Sequence, residues 1–123
     1  MSVMRVESFI GGQWVGPGEG ARAIESAVTG AVIAEAGGAP NAGTLLGFAQ
    51  KGGAALQAMT FHDRARMLKA LAGYLQDRRD PLYDLSFNTG ATAKDHLIDI
   101  DGGIGTMFVF ASKGRREMPD AQV

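Results

Sequence analysis

The chain has 123 residues, which is long enough for a domain with its own core, and a formal net charge of only −1. This balance argues against an electrostatic nucleic-acid binder and against a polybasic membrane-surface protein. The sequence has no cysteine, which excludes disulfides, thiolate-ligated zinc and a cysteine nucleophile within it. It has neither a secretory signal nor an apolar run of membrane-spanning length, so we expect a cytoplasmic protein with no nucleic-acid or membrane partner.

The first third of the chain predicts two short β-hairpins. The segment Phe9-Ile10-Gly11-Gly12-Gln13-Trp14-Val15 places two apolar runs around a Gly-Gly pair, and glycine accepts the positive φ angles of tight hairpin turns. A second pair of runs, 22–27 and 31–36, is joined through Val28-Thr29-Gly30. We expect strands over about 8–36 and a break at 37–40.

About four helices are predicted over 42–112. The first, 42–58, has Asn41 as its N-cap, and we expect its glycines at 47, 52 and 53 to permit close packing against a neighbour. The second begins after the N-cap Thr60, and the third, 82–88, has Pro81 at its first helical position and ends at Gly90. The second helix carries an apolar stripe formed by Ala65, Leu68, Leu71, Ala72 and Leu75.

The last predicted helix, 93–112, changes character along its length. Its first half is amphipathic, whereas 104–111 is apolar on almost every side, and such a helix has to be buried all round. Three other helices and two hairpins are too few to surround it. The pattern therefore predicts either a piece of a larger protein or a self-standing interaction module that docks through the apolar 104–111 surface.

Two glycine-rich segments invite comparison with phosphate-binding loops. Neither Gly16–Ala21 nor Gly102–Thr106 matches the dinucleotide or Walker spacing, and neither is expected to leave a strand and open a helix. A tight turn and close helix packing are the favoured interpretations.

The polar residues offer few candidates for catalysis. His62 and His96 have no metal-ligand spacing and are interpreted as surface or helix-end residues. A small hydrolase or isomerase would require both histidines to converge with a carboxylate, and no serine occupies a nucleophile elbow. Asp95 and Asp99 share a helix face that Asp101 does not, so a solvated face is favoured. The remaining groups are the serines 8, 26, 86 and 112, and the helix-end cations of 78–79 and 113–116.

The order of several motifs resembles the aldehyde dehydrogenase superfamily from about Glu7 to Asp120. The hairpin at 9–14 and the segment Val28-Thr29-Gly30-Ala31-Val32-Ile33-Ala34-Glu35 are similar to its opening strands. Asp63-Arg64-Ala65-Arg66-Met67-Leu68 is similar to its "eRa-x-x-L" helix, and Asn88-Thr89-Gly90 to its "x-T-G" turn.

Two longer stretches suggest a branch of the superfamily. "AMTFHDRARMLKA" and "DIDGGIGTMFVFASKGRREMPD" look most like the bifunctional enzymes of aerobic phenylacetate degradation, which fuse an aldehyde dehydrogenase to an oxepin-coenzyme A hydrolase. The semialdehyde dehydrogenases of the aerobic benzoyl-coenzyme A pathway come second.

The resemblance implies an α/β chain that forms, over 1–123, the N-terminal portion of a nucleotide-binding domain and is incomplete as a domain. The parent enzyme would oxidise a coenzyme A-linked semialdehyde with NADP or NAD, using a cysteine, a glutamate and an asparagine that lie downstream. No catalytic, cofactor-binding or metal-binding residue is therefore assigned to this chain. We expect it to be inactive and to bind no cofactor alone, with the rest of a homo-oligomeric parent as its partner.

Overall fold

The computed structural model describes residues 3–38 and 41–122, and the chain divides into two compact units, Met1–Gly53 and Ala54–Val123. The described chain is of mixed α/β type, as expected: short strands come first and helices follow. The strands are β1 (Met4–Arg5), β2 (Ser8–Ile10), β3 (Gln13–Val15), β4 (Arg22–Glu25) and β5 (Val32–Ala36).

The first predicted hairpin is confirmed. β2 and β3 pair antiparallel with Phe9 opposite Trp14, and the turn between them is made by Gly11 and Gly12, whose φ angles are 62° and 82°. The rings of Phe9 and Trp14 meet edge to face with centroids 5.2 Å apart, which is a favourable cross-strand arrangement. Both rings are nevertheless exposed.

The second hairpin is also confirmed, but it is not bare. β4 and β5 pair antiparallel, and β1 adds to the free edge of β5 in parallel, which gives a sheet in the order β1-β5-β4. The two residues of β1 are too few to show the alternation that reveals a strand in a sequence. In the turn, the buried hydroxyl oxygen of Ser26 accepts hydrogen bonds from the N–H groups of Val28 and Thr29.

Helix α1 (Ala42–Gln57) begins as predicted, because the side-chain oxygen of Asn41 accepts hydrogen bonds from the N–H groups of Gly43 and Thr44. The prediction that its glycines permit close packing was wrong: a Cβ added at 47, 52 or 53 would meet nothing within 4 Å. No residue of α1 is buried. Of the predicted break at 37–40, Gly37 and Gly38 have positive φ angles, and residues 39 and 40 lie outside the described residues.

Helices α2 (Phe61–Gln76) and α3 (Arg79–Phe87) follow. Thr60 caps α2 as predicted, since its hydroxyl oxygen accepts a hydrogen bond of 3.1 Å from the N–H of Asp63. The predicted stripe is only partly buried, because Ala65 and Ala72 are covered while Leu71 is exposed. Helix α3 starts two residues before Pro81, so the prediction of proline at the first helical position was wrong. Proline is tolerated at the third helical position as well, because the first four N–H groups of a helix have no hydrogen-bond partner within the helix.

The predicted last helix is confirmed as one helical stretch, with an interior π turn that the sequence did not reveal. Helix α4 (Ala93–His96) continues through a π-helical segment (Leu97–Asp101) into α5 (Gly102–Arg116). Helices α2 and α5 pack antiparallel: the N–H of Phe61 bonds to the carbonyl of Ala121, and a Cβ at Gly114 would lie 3.3 Å from the Cβ of Ala65. The close packing expected within 102–106 was wrong, because the glycines there face open space.

Candidate functional site

One candidate for a functional surface is apolar and belongs to the last helical stretch. Ile104 and Ala111 are buried, as a core position of a helix pair should be. Four further apolar residues of the stretch are exposed, Leu97 by 54%, Ile98 by 63%, Val109 by 53% and Phe110 by 61%, whereas Met107 and Phe108 are half-buried. The expectation that the second unit cannot cover this helix with its own residues is confirmed for the described chain.

One predicted surface histidine is in fact buried and paired with a serine. His96 is only 8% exposed, and its Nδ1 lies 2.8 Å from the hydroxyl oxygen of Ser86. The turn at Gly90 folds α4 back toward α3 and brings together two residues that are ten positions apart. The Tyr83 ring lies beside the imidazole with a centroid separation of 6.4 Å. His96 is a helix-end residue, as interpreted, because it is the last residue of α4, but the surface interpretation was wrong. The turn at Gly90 was the signal in the sequence that could have indicated the burial.

A second polar contact links α3 to the end of the π-helical segment. The hydroxyl of Tyr83 donates to the carboxylate of Asp101 at 2.8 Å, and a guanidinium nitrogen of Arg79 lies 3.7 Å from the same carboxylate. Burial of the phenol, together with this hydrogen bond, raises the pKa of Tyr83 above its ordinary value. The phenol therefore stays protonated and acts as a donor that positions Asp101.

The three aspartates of this stretch are not a common solvated face. Asp95 forms a capping box with Thr92, in which each side chain accepts a hydrogen bond from the other residue's backbone N–H. The Thr92 hydroxyl lowers the pKa of Asp95 by favouring its charged form. Asp101 is the acceptor for Tyr83, and only Asp99 is exposed without a recorded partner among the described residues. The solvated-face interpretation is confirmed for Asp95 and Asp99, which are both exposed, and is wrong for Asp101, which is half-buried against Tyr83.

His62 lies in different surroundings from His96. Its Nε2 is 3.1 Å from the carbonyl oxygen of Met118, and its Nδ1 is 3.7 Å from a carboxylate oxygen of Asp120. These contacts fasten the segment after α5 to the start of α2. In the part of the chain that the structure describes, the two histidines share no partner, so the convergence that a histidine-based hydrolase requires is not seen.

The residues present do not form a cradle for a dinucleotide. Gly16–Ala21 connects two strands, β3 and β4, and Gly102–Thr106 lies at the start of α5 after a π-helical turn. A dinucleotide loop must instead leave a strand and open a helix. Across residues 3–38 and 41–122, no three acidic or histidine side chains come close enough to hold a metal ion. No described helix is both long and apolar enough to cross a membrane.

Comparison with known proteins gives one informative similarity. No protein-family model matches the chain. The chain is 40% identical over 116 residues to the 3,4-dehydroadipyl-CoA semialdehyde dehydrogenase of Aromatoleum evansii, and the match covers 91% of this chain and 22% of that protein. The chain thus spans about a fifth of the length of this relative. The similarity supports a relationship to aldehyde dehydrogenases over nearly all of the sequence.

Proposed function

We propose that this chain is the N-terminal part of an NAD(P)-dependent aldehyde dehydrogenase that oxidises a coenzyme A-linked semialdehyde to the acid. The observation that carries the proposal is the 40% identity, over nearly the whole chain, to a protein named as a semialdehyde dehydrogenase of a coenzyme A thioester. An identity of this size over 116 residues is accompanied by the expected order of hairpin, capped helix and long last helix.

In this proposal the chain contributes structure and the rest of the parent contributes the chemistry. A dehydrogenase of this kind needs a thiolate to attack the aldehyde and a nicotinamide cofactor to accept hydride. The sequence has no cysteine, and its glycine-rich segments do not form a dinucleotide cradle. We therefore expect no dehydrogenase activity and no cofactor binding of the dehydrogenase type from the chain alone.

The exposed apolar residues supply a physical reason for a larger assembly. Val109 and Phe110 on α5, and Phe9 and Trp14 on the first hairpin, leave large apolar side chains in contact with water. Removing each such side chain from water would stabilise a larger assembly by about 1.5–3 kcal/mol. We propose that the remainder of the parent enzyme covers them, and that the parent is a cytoplasmic homo-oligomer.

The substrate and the pathway are the most specific part of the proposal. We propose that the parent acts in aerobic phenylacetate or related aromatic catabolism, with NADP or NAD as the hydride acceptor, because the sequence resembles the bifunctional phenylacetate enzymes. The relative's name independently specifies a semialdehyde linked to coenzyme A. Both branches thus lead to the same class of substrate, and the choice between them stays a prediction.

A second candidate function rests on the same exposed residues of α5. If the chain acts as a self-standing interaction module, Val109 and Phe110 form its docking surface. Analytical ultracentrifugation combined with hydrogen exchange separates the two candidates. A monomer whose amides are protected throughout favours the module, whereas a folded second unit beside a poorly protected α1, or self-association of the chain, favours the enzyme segment.

A chimera tests the proposed function directly. The matched segment of the Aromatoleum evansii enzyme is replaced by this chain, and NADP- or NAD-dependent oxidation of the semialdehyde thioester is measured. We expect the chimera to be active, the same enzyme with the segment deleted to be inactive, and the chain alone to be inactive. Turnover by the chain alone, or a folded but inactive chimera, would contradict the proposal.

A further inference from the structure

A basic cavity between α2 and α5 has no role in the function proposed above. Four of the twelve lysine and arginine residues of a chain with net charge −1 line it, and no carboxylate does. Its volume is about 380 Å³, within the range of roughly 300–1,000 Å³ typical of small-molecule sites. We call it the basic cavity, and its lining is formed by Ala65, Arg66, Lys69, Phe108, Ala111, Ser112, Arg115 and Arg116.

The antiparallel packing of the two helices creates this concentration of charge. The first half of α2 lies beside the second half of α5, so Lys69 on one helix faces the same space as Arg115 and Arg116 on the other. The small buried residues Ala65 and Ala111 form the floor. Because both alanines are short, the longer cationic side chains stand around an open depression rather than filling it.

The cations of the cavity are largely uncommitted. Arg66 forms an ion pair with Asp63 one turn before it on α2. No ion pair involves Lys69, Arg115 or Arg116 within the residues that the structure describes. The neighbouring Lys113 differs, since its amino group lies 3.5 Å from Glu117 and it does not line the cavity. The interpretation of 113–116 as helix-end charge is confirmed, since Lys113, Arg115 and Arg116 all lie in the last turn of α5, and the two arginines line the cavity as well.

The chemistry of the lining selects the kind of ligand. Arginine and lysine are the preferred partners of phosphate, because charge-assisted hydrogen bonds to its oxygens are short and strong. The hydroxyl of Ser112 adds a neutral donor, and the half-buried ring of Phe108 offers an apolar wall suited to a planar base. Phosphate groups next to a planar base are the features that nucleotides share.

We propose that the basic cavity binds a nucleotide through its phosphate groups, with coenzyme A, an adenine nucleotide, as the source that fits best. Coenzyme A carries a 3′-phosphate and a pyrophosphate on its adenosine, which match several cations placed around one ring. The anion site is argued from the cavity alone, whereas the assignment to coenzyme A rests on the proposed function. The cavity would then hold the nucleotide end of the thioester, away from the reacting aldehyde.

Isothermal titration calorimetry of the purified chain tests the site. The probes are coenzyme A, dephospho-coenzyme A, NADP and inorganic pyrophosphate, each at low ionic strength and again at about 0.15 M salt. We expect coenzyme A to bind tightest, to lose affinity without its 3′-phosphate, and to bind more weakly in salt. No binding by any probe, or equal affinity for pyrophosphate and coenzyme A, overturns the proposal. Tighter binding of NADP overturns the assignment to coenzyme A.

Two triple variants with the same change in net charge distinguish binding in the cavity from non-specific electrostatic attraction of the anionic ligand to the chain. Lys69→Gln/Arg115→Gln/Arg116→Gln removes three cations of the cavity, and Lys51→Gln/Lys94→Gln/Lys113→Gln removes three exposed cations elsewhere. We expect the first to weaken coenzyme A binding by about tenfold or more and the second to change it little. Equal weakening by both variants overturns the proposal.

Further measurements separate a loss of coenzyme A binding from misfolding of a variant and from failure of the proposed function. Circular dichroism confirms that each variant keeps its helices. The single variant Arg115→Gln removes only one exposed cation, so it repeats the binding test with less risk of misfolding. The chimera reports separately on the proposed function. An active chimera whose cavity variants bind coenzyme A normally overturns the site alone, whereas specific binding with an inactive chimera overturns the proposed function alone.

Discussion

Helices α1 and α2 have the same length of 16 residues, yet they differ completely in what covers them. Helix α2 packs against α5 and buries Ala65 and Ala72, whereas α1 buries none of its residues even though Leu46 and Phe48 are large and apolar. The contrast shows that apolar content does not by itself bury a helix. A helix also needs a partner with a matching surface, and of these two helices only α2 has such a partner, α5, within the described chain.

The pairing of α2 with α5 depends on small residues at the contact. Ala65 lies against Gly114, where even an added Cβ would come within 3.3 Å, and Ala72 is completely covered. Close approach of two helix backbones gains many weak dispersion contacts over a short distance. None of the large residues of the second unit is fully buried in the described structure, so its stability depends on this seam.

Truncation of Ile104, the largest buried apolar side chain of the described second unit, should have the largest effect. Ile104 is 7% exposed, so Ile104→Ala removes packed methyl groups and should lower the free energy of unfolding by about 2–4 kcal/mol. Ile98→Ala makes the same chemical change at an exposed position and should cost less than about 0.5 kcal/mol. Urea titration of both variants measures the difference. Equal losses would show that the seam is not the core of this unit.

Loss of a helix cap should have the next largest effect. Thr60 and Thr92 each accept a hydrogen bond from the third N–H of a helix, so Thr60→Ala or Thr92→Ala should cost about 1 kcal/mol. Thr106 lies inside α5 and bonds to the carbonyl of Gly102, so Thr106→Ala is the matched control and should change little. Thermal unfolding of the three variants checks the order. A control as damaging as the cap variants would contradict the role given to the caps.

Acid should weaken the second unit through the same two caps. The Thr60 hydroxyl, helped by Arg66, lowers the pKa of Asp63, and the Thr92 hydroxyl lowers the pKa of Asp95, each from 3.8. A carboxyl whose pKa is depressed by folding stabilises the fold above its unfolded pKa, and this contribution is lost as the pH falls through the folded pKa. Stability should therefore decline below about pH 4. In Asp63→Asn/Asp95→Asn this decline should be shallower, and an unchanged pH profile would contradict the assignment.

The smallest effect is expected in α1. Because α1 buries no residue, Leu46→Ala should leave the free energy of unfolding unchanged within about 0.5 kcal/mol. An unpacked helix of this length is marginal in water, so its amides should exchange hydrogen much faster than those of α2. Hydrogen-exchange mass spectrometry compares the two helices in one sample. Equal protection would show that α1 has a partner and would remove the contrast.

Local signals in the sequence predicted the elements well. The Gly-Gly turn of the first hairpin, the caps Asn41 and Thr60, and the left-handed Gly90 all depend on neighbours within a few residues, and all were confirmed. The predicted extent of the last helical stretch, 93–112, falls within the observed 93–116. Local hydrogen bonding and backbone preference fix such features wherever the segment is placed.

Features that depend on distant contacts were missed or predicted wrongly. The glycines of α1 and of 102–106 suggested close packing, yet the close approach between α2 and α5 occurs at Gly114, which faces Ala65. The pair formed by His96 and Ser86 and the basic cavity both require knowledge of which helices meet. A sequence pattern indicates which face of a helix is apolar but not which element packs against that face. The candidate sites lie at such contacts between elements.

The coverage of the exposed helix in a larger enzyme is the central claim, and thiol labelling tests it most directly. The chain has no cysteine, so Phe110→Cys introduces a single thiol at a position that is 61% exposed. Its rate of reaction with a maleimide is measured by peptide mass spectrometry in the chain alone and in the chimera with the Aromatoleum evansii enzyme. We predict rapid labelling in the chain and strong protection in the chimera. Equal rates in the two proteins would contradict the claim.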